Sequence, residues 1–339
     1  MAELVRTFLR IGLLSFGGPA GQIALMHREI VEKRRWLSEQ EYLDALSFCM
    51  LLPGPEAMQL ATYSGWRLRG VLGGLIAGLL FVIPGALIVL VLAIVYVTHG
   101  DVGWFGAMFL GIKAAVVVIV FEALLKLARR ALVRPDLWVI AGLAFLAIFF
   151  LNLPFPLLIA LAASYGFLTG RDAGKAGAAP IKARDTFQTV LTWLVIWWLP
   201  LGVIALLAPG SILIGIGLFF AKLAVVTFGG AYAVLAYMAQ QAVSEKGWLT
   251  AGEMIDGLGL AETTPGPLIL VTEFVGYLAG FGAGGMALGM AAAVVTLWMT
   301  FAPYFLWIFA GAPYIARLSH QPRLRSALAG VTSAVVGVI

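Results

Sequence analysis

The stretch FGGPAGQIALMHREIVEKRRWLSEQEYLDALSFCMLLPGP at residues 16–55 comes back at residues 228–267 as FGGAYAVLAYMAQQAVSEKGWLTAGEMIDGLGLAETTPGP. The shift is 212 residues without a gap, and 14 of the 40 aligned positions are identical. Chance in so biased a composition gives roughly three or four, and self-similarity at one fixed period means two copies of one structural unit. Phe16-Gly17-Gly18 falls on Phe228-Gly229-Gly230, Trp36-Leu37 on Trp248-Leu249, and Pro53-Gly54-Pro55 on Pro265-Gly266-Pro267. Glu41 and Asp44 fall on Glu253 and Asp256. After a seven-residue slip, Pro84 meets Pro303 and Gly111 meets Gly330. The copies divide the chain into a first repeat at 1–170, a polar linker at 171–186 expected in the cytoplasm, and a second repeat at 187–339. Ile339 corresponds to Val120, so the second copy is expected to lack about two helices that the first contains.

Outward from the repeat, the composition sets the solvent. The chain is 62% hydrophobic and 12% charged, with a mean hydropathy of +1.00. That charged fraction is roughly half the soluble norm, too little to cover a water-exposed surface. Disorder is excluded by the same arithmetic. One cysteine, Cys49, excludes a disulfide scaffold, and three scattered histidines leave no Cys/His metal pattern. Residues 70–100, 137–170, 186–221, 223–244 and 274–316 carry no Asp, Glu, Lys or Arg. A helix needs about 20 apolar residues to cross the hydrocarbon, so these runs hold one or two spans each. Backbone groups in lipid must be paired internally, and the alternation of a lipid-facing barrel is absent. The fold class is therefore all-α, a polytopic helical membrane protein. The net charge of +5 sits in short connections. It reads as a topology signal, not a nucleic-acid surface. The N-terminal stretch looks superficially like a signal peptide, but its copy inside the chain rules that out.

The two copies carry opposite charge bias. The loop with Arg28, Lys33, Arg34 and Arg35 is strongly basic, whereas its copy has only Lys246 beside Glu245. The turn at His99-Gly100-Asp101 has no basic residue, while its copy holds Arg317, Arg323 and Arg325. Equivalent loops of opposite bias belong on opposite sides of the membrane, which predicts inverted repeats. Inversion needs an odd number of crossings between the copies. Five clear spans lie near 70–97, 103–125, 136–151, 155–169 and 187–207. The Phe-Gly-Gly and Pro-Gly-Pro segments must then contribute an even number. Broken, re-entrant helix pairs that return to their own side meet this condition. Glycine tolerates the φ values of a break, and proline stops one helix and can open the next. Ordinary glycine-containing spans are the alternative.

Ionisable residues inside apolar spans are functional candidates. Arg10 and Lys222 occupy the same repeat position, six residues before each Phe-Gly-Gly. Two symmetric cations beside two helix breaks form a candidate anion site, strengthened by free N–H groups at half-helix N-termini. Snorkelling to the interface is the competing role, and it fits Arg10 better than Lys222. Lys113 is a third buried cation, a substrate contact or the partner of a carboxylate. Pro55 and Pro267 are expected in the first turn of a half-helix, with Thr263 and Thr264 adding hydroxyl donors. Glu56, Glu262 and Glu273 break the symmetry, since their copies are Leu268, Met50 and Ala61. A carboxylate in apolar surroundings can carry a proton. These three are candidates for proton coupling or for pairing with Lys113 and Lys222. Glu41 and Asp44, like Glu253 and Asp256, are expected to order a hairpin entrance or to bind Arg34 and Arg35. Cys49 reads as an inert buried residue. No Walker loop, catalytic triad or metal spacing occurs.

The sum of these motifs resembles the chromate transporter family of prokaryotes. Phe-Gly-Gly-Pro at 16–19, Trp-Leu-x3-Glu-x2-Asp at 36–44, Pro-Gly-Pro at 53–55 and the degenerate second set carry the resemblance across essentially the whole chain. The second set departs from the first at Ala231, where the first has Pro19. The resemblance implies a multi-pass inner-membrane secondary carrier that expels chromate, a sulfate-shaped dianion, at the expense of the proton-motive force. Its implied partners are chromate or a sulfate-like oxyanion, protons and the bilayer, with no cofactor. The implied site residues are the two Phe-Gly-Gly and two Pro-Gly-Pro segments. A sulfate carrier and an oxyanion channel are alternatives on the same residues. A membrane enzyme or a structural subunit is a third class, disfavoured by the missing catalytic constellation and by the paired halves. Monomer and homodimer both stay open.

Overall fold

The computed structural model describes residues 1–16, 18–99, 132–151, 153, 155–170, 183–228, 235, 237–315 and 321–338, with positions 111, 118, 125, 128 and 129. Every regular element among them is helical. In chain order they are α1 (Ala2–Leu13), α2 (Gly18–His27), α3 (Glu39–Cys49), α4 (Glu56–His99), α5 (Pro135–Leu151) and α6 (Phe155–Thr169). Then come α7 (Ala183–Leu207), α8 (Ile212–Val226), α9 (Ala251–Thr263), α10 (Val271–Gly311) and α11 (Pro322–Val338). Three stretches, Glu56–His99, Arg184–Leu207 and Leu268–Tyr314, are long and apolar enough to cross a membrane.

The duplication holds down to single hydrogen bonds. Arg28–Lys33 and Gln240–Glu245, at matching repeat positions, both wind as π-helix. Each is followed by the same turn, closed by Trp36 N–H on Ile30 O at 2.8 Å and by Trp248 N–H on Ala242 O at 2.9 Å. That turn needs positive φ, and Arg35 (51°) and Gly247 (59°) supply it at equivalent positions. The next helix opens with the same device twice. Ser38 and Glu41 form a capping box on α3, and Thr250 and Glu253 form one on α9. Each side chain satisfies a backbone donor that a helix start leaves bare. Glu41 and Glu253 thus order the start of a helix, as expected, but the arginine paired with Glu41 is Arg67 at 3.2 Å, not Arg34 or Arg35.

The two long helices are folded, which the apolar runs did not disclose. In α4 the backbone turns at Arg69 and Gly70 (φ 63°), and in α10 at Gly284 and Gly285 (φ 74°). Each becomes a short arm, 56–68 or 271–283, and a longer returning arm, 71–99 or 286–311. Small residues let the arms touch. A Cβ on Gly65 would lie 2.5 Å from Ala77 Cβ, and one on Gly276 would lie 2.0 Å from Thr296 Oγ1. Gly73 and Gly74 meet Gly65 and Thr62 respectively.

The returning arms form the centre of the molecule. Gly74 packs on Phe309 and Gly78 on Phe305. The partner number falls as the first rises, so the two equivalent arms run in opposite directions. α1 covers the arm 71–99, with Gly12 against Leu80 O, and its copy α8 covers the arm 286–311, with Gly217 against Val295. α11 packs on α5 and α6 through Gly166, Gly330 and Gly337.

Candidate functional site

Helix stops just before both Phe-Gly-Gly segments. α1 ends at Leu13 and α8 at Val226, and Ser15 and Thr227, equivalent in the repeat, follow in non-helical backbone. Both Pro-Gly-Pro segments are non-helical as well, with Gly54 at φ 118° and Gly266 at φ 99°. The breaks then meet crosswise. Gly54 N–H donates to Thr227 O at 2.6 Å, and Gly266 N–H donates to Ser15 O at 3.1 Å. Each half's Pro-Gly-Pro is therefore hydrogen-bonded to the other half's Phe-Gly-Gly break. Buried glutamines hold the loops in place. Gln59 donates to Pro53 O at 2.6 Å, and Gln22 donates to Gly266 O at 2.7 Å and to Ser15 O at 3.2 Å. Neither glutamine stood out in the sequence, because a single Gln near an apolar run carries no motif.

The crossing is symmetric in backbone and asymmetric in cover. Gly85 and Tyr304 are equivalent, each following the proline inside its returning arm. Gly85 lets Pro265 O approach to 2.2 Å of where a Cβ would stand. Tyr304 instead lays its ring on Gly54, 2.6 Å from the equivalent point there, and its hydroxyl faces Thr227.

The expected site residues are placed as follows. Pro55 and Pro267 stand just ahead of the first helical turn instead of within it: Gln59 N–H bonds Pro55 O, and Leu270 N–H bonds Pro267 O. Thr263 and Thr264 are at the end of α9, and their hydroxyls are already donated to carbonyls of that helix. They are not free donors. Arg10 and Lys222 are both exposed. Lys222 lies over the Tyr237 ring at 5.5 Å, and Arg10 stands close enough to feel the charge of Glu29. No hydrogen bond or ion pair among the described residues joins either cation to the crossing. Phe16 is exposed, Phe228 half-buried, and Gly18 takes positive φ (70°). Gly17, Gly229, Gly230 and Lys113 lie outside the described residues.

The three acidic candidates separate. Glu56 opens the arm 56–68 and lines a cavity of ≈ 970 Å³ shared with Leu14, Pro19, His27, Arg28 and Glu32. Glu262 is half-buried near the end of α9. Glu273 is 1% exposed in the arm 271–283, and its Oε2 has no hydrogen-bond partner. Asp256 is buried too and accepts from Tyr96 Oη at 2.8 Å, a bond between the halves. Its copy Asp44 is half-buried and pairs locally with Gln40. Outside the spans, the Ser38 backbone N–H, its hydroxyl and Arg67 together hold the Glu41 carboxyl below its ordinary range. Cys49 is buried, as expected.

An all-helical membrane protein of two duplicated units, interlocked through broken helices, has the construction of a transporter. The sequence profile of the chromate transporters matches residues 2–167 and 214–339, and the chain belongs to that family. It is 33% identical to a chromate transport protein of Pseudomonas aeruginosa over 99% of this chain and 79% of that one. It is 30% identical to a chromate transport protein of Cupriavidus metallidurans over 100% of this chain and 80% of the relative. An uncharacterized transporter of Methanocaldococcus jannaschii is 26% identical over 99% of this chain. No solved structure matches.

Proposed function

We propose that the protein is a secondary active transporter of a divalent oxyanion, expelling chromate across the prokaryotic inner membrane at the expense of the proton-motive force. The observation that carries this is the reciprocal bond pair Gly54–Thr227 and Ser15–Gly266. It joins each half's Pro-Gly-Pro to the other half's Phe-Gly-Gly break, and at such a crossing half-helix N-termini and amide donors replace the water of an anion. Arg10 and Lys222, exposed on equivalent helices, belong to the approach to that point. The cavity reaching Glu56 beside the first break is of a size that holds a small ligand.

The same centre supports inverted orientation. Equivalent arms that run antiparallel are related by a two-fold axis perpendicular to both. If the arms cross the bilayer, that axis lies in the membrane plane. The opposite charge of equivalent loops agrees. The short arms have 13 residues each. They reach about 20 Å, less than the ≈ 30 Å hydrocarbon, and so read as re-entrant. Relatives named for chromate transport favour chromate over sulfate. Glu273, buried with no charged partner among the described residues, favours proton coupling, because an ionisable group inside an apolar span is retained for function.

The test is counterflow of labelled chromate in proteoliposomes. Saturable exchange is expected, with Lys222→Ala slowing it roughly tenfold, the loss of about 1.4 kcal/mol of binding. Potential-driven flux without exchange would make the protein a channel. Sulfate exchange without chromate exchange would change the substrate. Unaltered exchange in Lys222→Ala and Arg10→Ala would remove both cations from the site.

A further inference from the structure

Buried polar atoms without partners are few in folded proteins, and each asks for a reason. In α10 they gather on one line. Thr296 and Thr300 are buried, and neither hydroxyl has a partner among the described residues. Together with Tyr304 they are spaced four residues apart, one above another on a single face of the returning arm. On the facing arm, Glu273 is one turn before Gly276, which touches Thr296. In an antiparallel hairpin that register sets Glu273 opposite 299–300. At the far end of the line, Tyr304 lies against Gly54 with its hydroxyl facing Thr227. The first half offers nothing comparable. Its equivalents of Thr296, Thr300 and Tyr304 are Ala77, Phe81 and Gly85, and its equivalent of Glu273 is Ala61.

We propose that Thr300 and Tyr304 form a hydrated track that carries protons between Glu273 and the crossing of the breaks, with Thr296 continuing the line of hydroxyls on the other side of Glu273. It rests on the reading of Glu273 as the coupling carboxylate. The Glu273 acid gives its proton to a water and becomes the carboxylate. Each hydroxyl along the track accepts one proton and releases its own, so no oxygen on the route gains charge for longer than the transfer. Four residues of helix separate Thr300, opposite Glu273, from Tyr304 at the crossing, about 6 Å, a distance that one or two waters bridge. The other titratable groups brought to this hairpin include Tyr277, one turn after Glu273 with its hydroxyl on Met286 Sδ at 2.9 Å, Tyr96 of α4, bonded to Asp256 of α9, Glu253 and Glu262 at the ends of α9, and Lys222 on α8. The Tyr96 ring stands edge-on to Phe274, next to Glu273. None of these groups bonds to Glu273.

The experiment reads Glu273 without relying on transport. Infrared spectroscopy of the full protein in lipid follows the C=O stretch of a buried carboxylic acid, identified by its loss in Glu273→Gln. Transfer to heavy water shifts the band at the rate at which protons reach it. The expected result is a rate at least tenfold slower in Thr300→Val and in Tyr304→Phe, both close in volume to the parent. Unchanged rates in both variants overturn the track. Disappearance of the band on adding sodium also overturns it, making the cluster a cation site. In proteoliposomes, Thr300→Val should lose pH-driven chromate flux while keeping exchange within twofold. An absent wild-type flux would defeat the transport reading alone, since the infrared rates stand apart from it.

Discussion

The two Pro-Gly-Pro breaks are built on one backbone plan and covered in opposite ways. The first has an aromatic ring on it, with Gln59 alongside. The second has the main chain of Gly85 on it, with Gln22 reaching from α2. A duplicated scaffold thus keeps its hydrogen bonds while its side chains diverge. Backbone bonds at a crossing tolerate little change, because an unmet buried N–H is costly. The cover is free to differ, and substrate and coupling chemistry can be placed on one side only.

Position 85 offers the hardest way to break this comparison. A side chain there would stand 2.2 Å from Pro265 O and 2.7 Å from Leu270 Cδ1. Backbone cannot swing aside as a ring can. Gly85→Val is expected to cost at least about 3 kcal/mol, the upper range of overpacking, and to show as a large fall in thermal stability in detergent. A stability within error of the wild type would mean that the halves do not meet at Pro265.

A second pair of changes sharpens the contrast. Gly54→Ala and Gly266→Ala both place a side chain at positive φ, which costs on the order of 1–3 kcal/mol. Only at Gly54 does the new methyl also strike Tyr304, at 2.6 Å, whereas at Gly266 the nearest atom is the flexible end of Leu270 at 3.0 Å. Gly54→Ala should therefore be the more damaging. Tyr304→Ala in the same chain should recover part of the loss at Gly54 and none at Gly266. This double-mutant cycle measures the ring contact itself. Equal losses without recovery would refute the asymmetric cover.

The sequence disclosed what is local. Phe-Gly-Gly and Pro-Gly-Pro announced breaks because glycine and proline act on their own residue, and the breaks are there. The capping boxes of Ser38 with Glu41 and Thr250 with Glu253 are just as local, but the spacing of Glu41 and Asp44 suggested only a hairpin entrance or a site for Arg34 and Arg35. The hairpin turns were not. Gly70 and Gly285 stand 215 residues apart, between the shift of 212 before them and 219 after them. The length difference between the copies falls around this turn, so no ungapped comparison pairs the two glycines. Gly70 also opens an uncharged run, where glycine usually signals packing. Lys222 shows a second limit. Its long apolar context suggested burial, but hydropathy along a chain does not say which way a helix face points, and Lys222 points outward. The crossing partners Ser15 and Thr227, the cover residue Tyr304 and the two glutamines are set by tertiary contacts. The one available hint was that Pro84 and Pro303 match while the residues after them, Gly85 and Tyr304, do not.

The smallest difference between the copies lies at the capping boxes and is tested by acid. Glu41 accepts from the Ser38 backbone and hydroxyl, as Glu253 does from Thr250, but Glu41 alone has an arginine, Arg67 at 3.2 Å. These donors depress its folded-state pKa. A depressed carboxylate stabilises the fold above its unfolded pKa, and that contribution fades as pH falls through the folded value. Glu41 is about two-fifths exposed, so water and salt screen the pair with Arg67 to a few tenths of a kcal/mol. Between pH 7 and pH 3 the wild type should lose slightly more stability than Glu41→Gln, and salt should shrink that gap further. Arg67→Gln should move the Glu41 titration, followed by carboxylate NMR, back toward its ordinary range. A Glu41 titration indifferent to Arg67 would show that the capping box alone sets it, and the two copies would then be alike at this point.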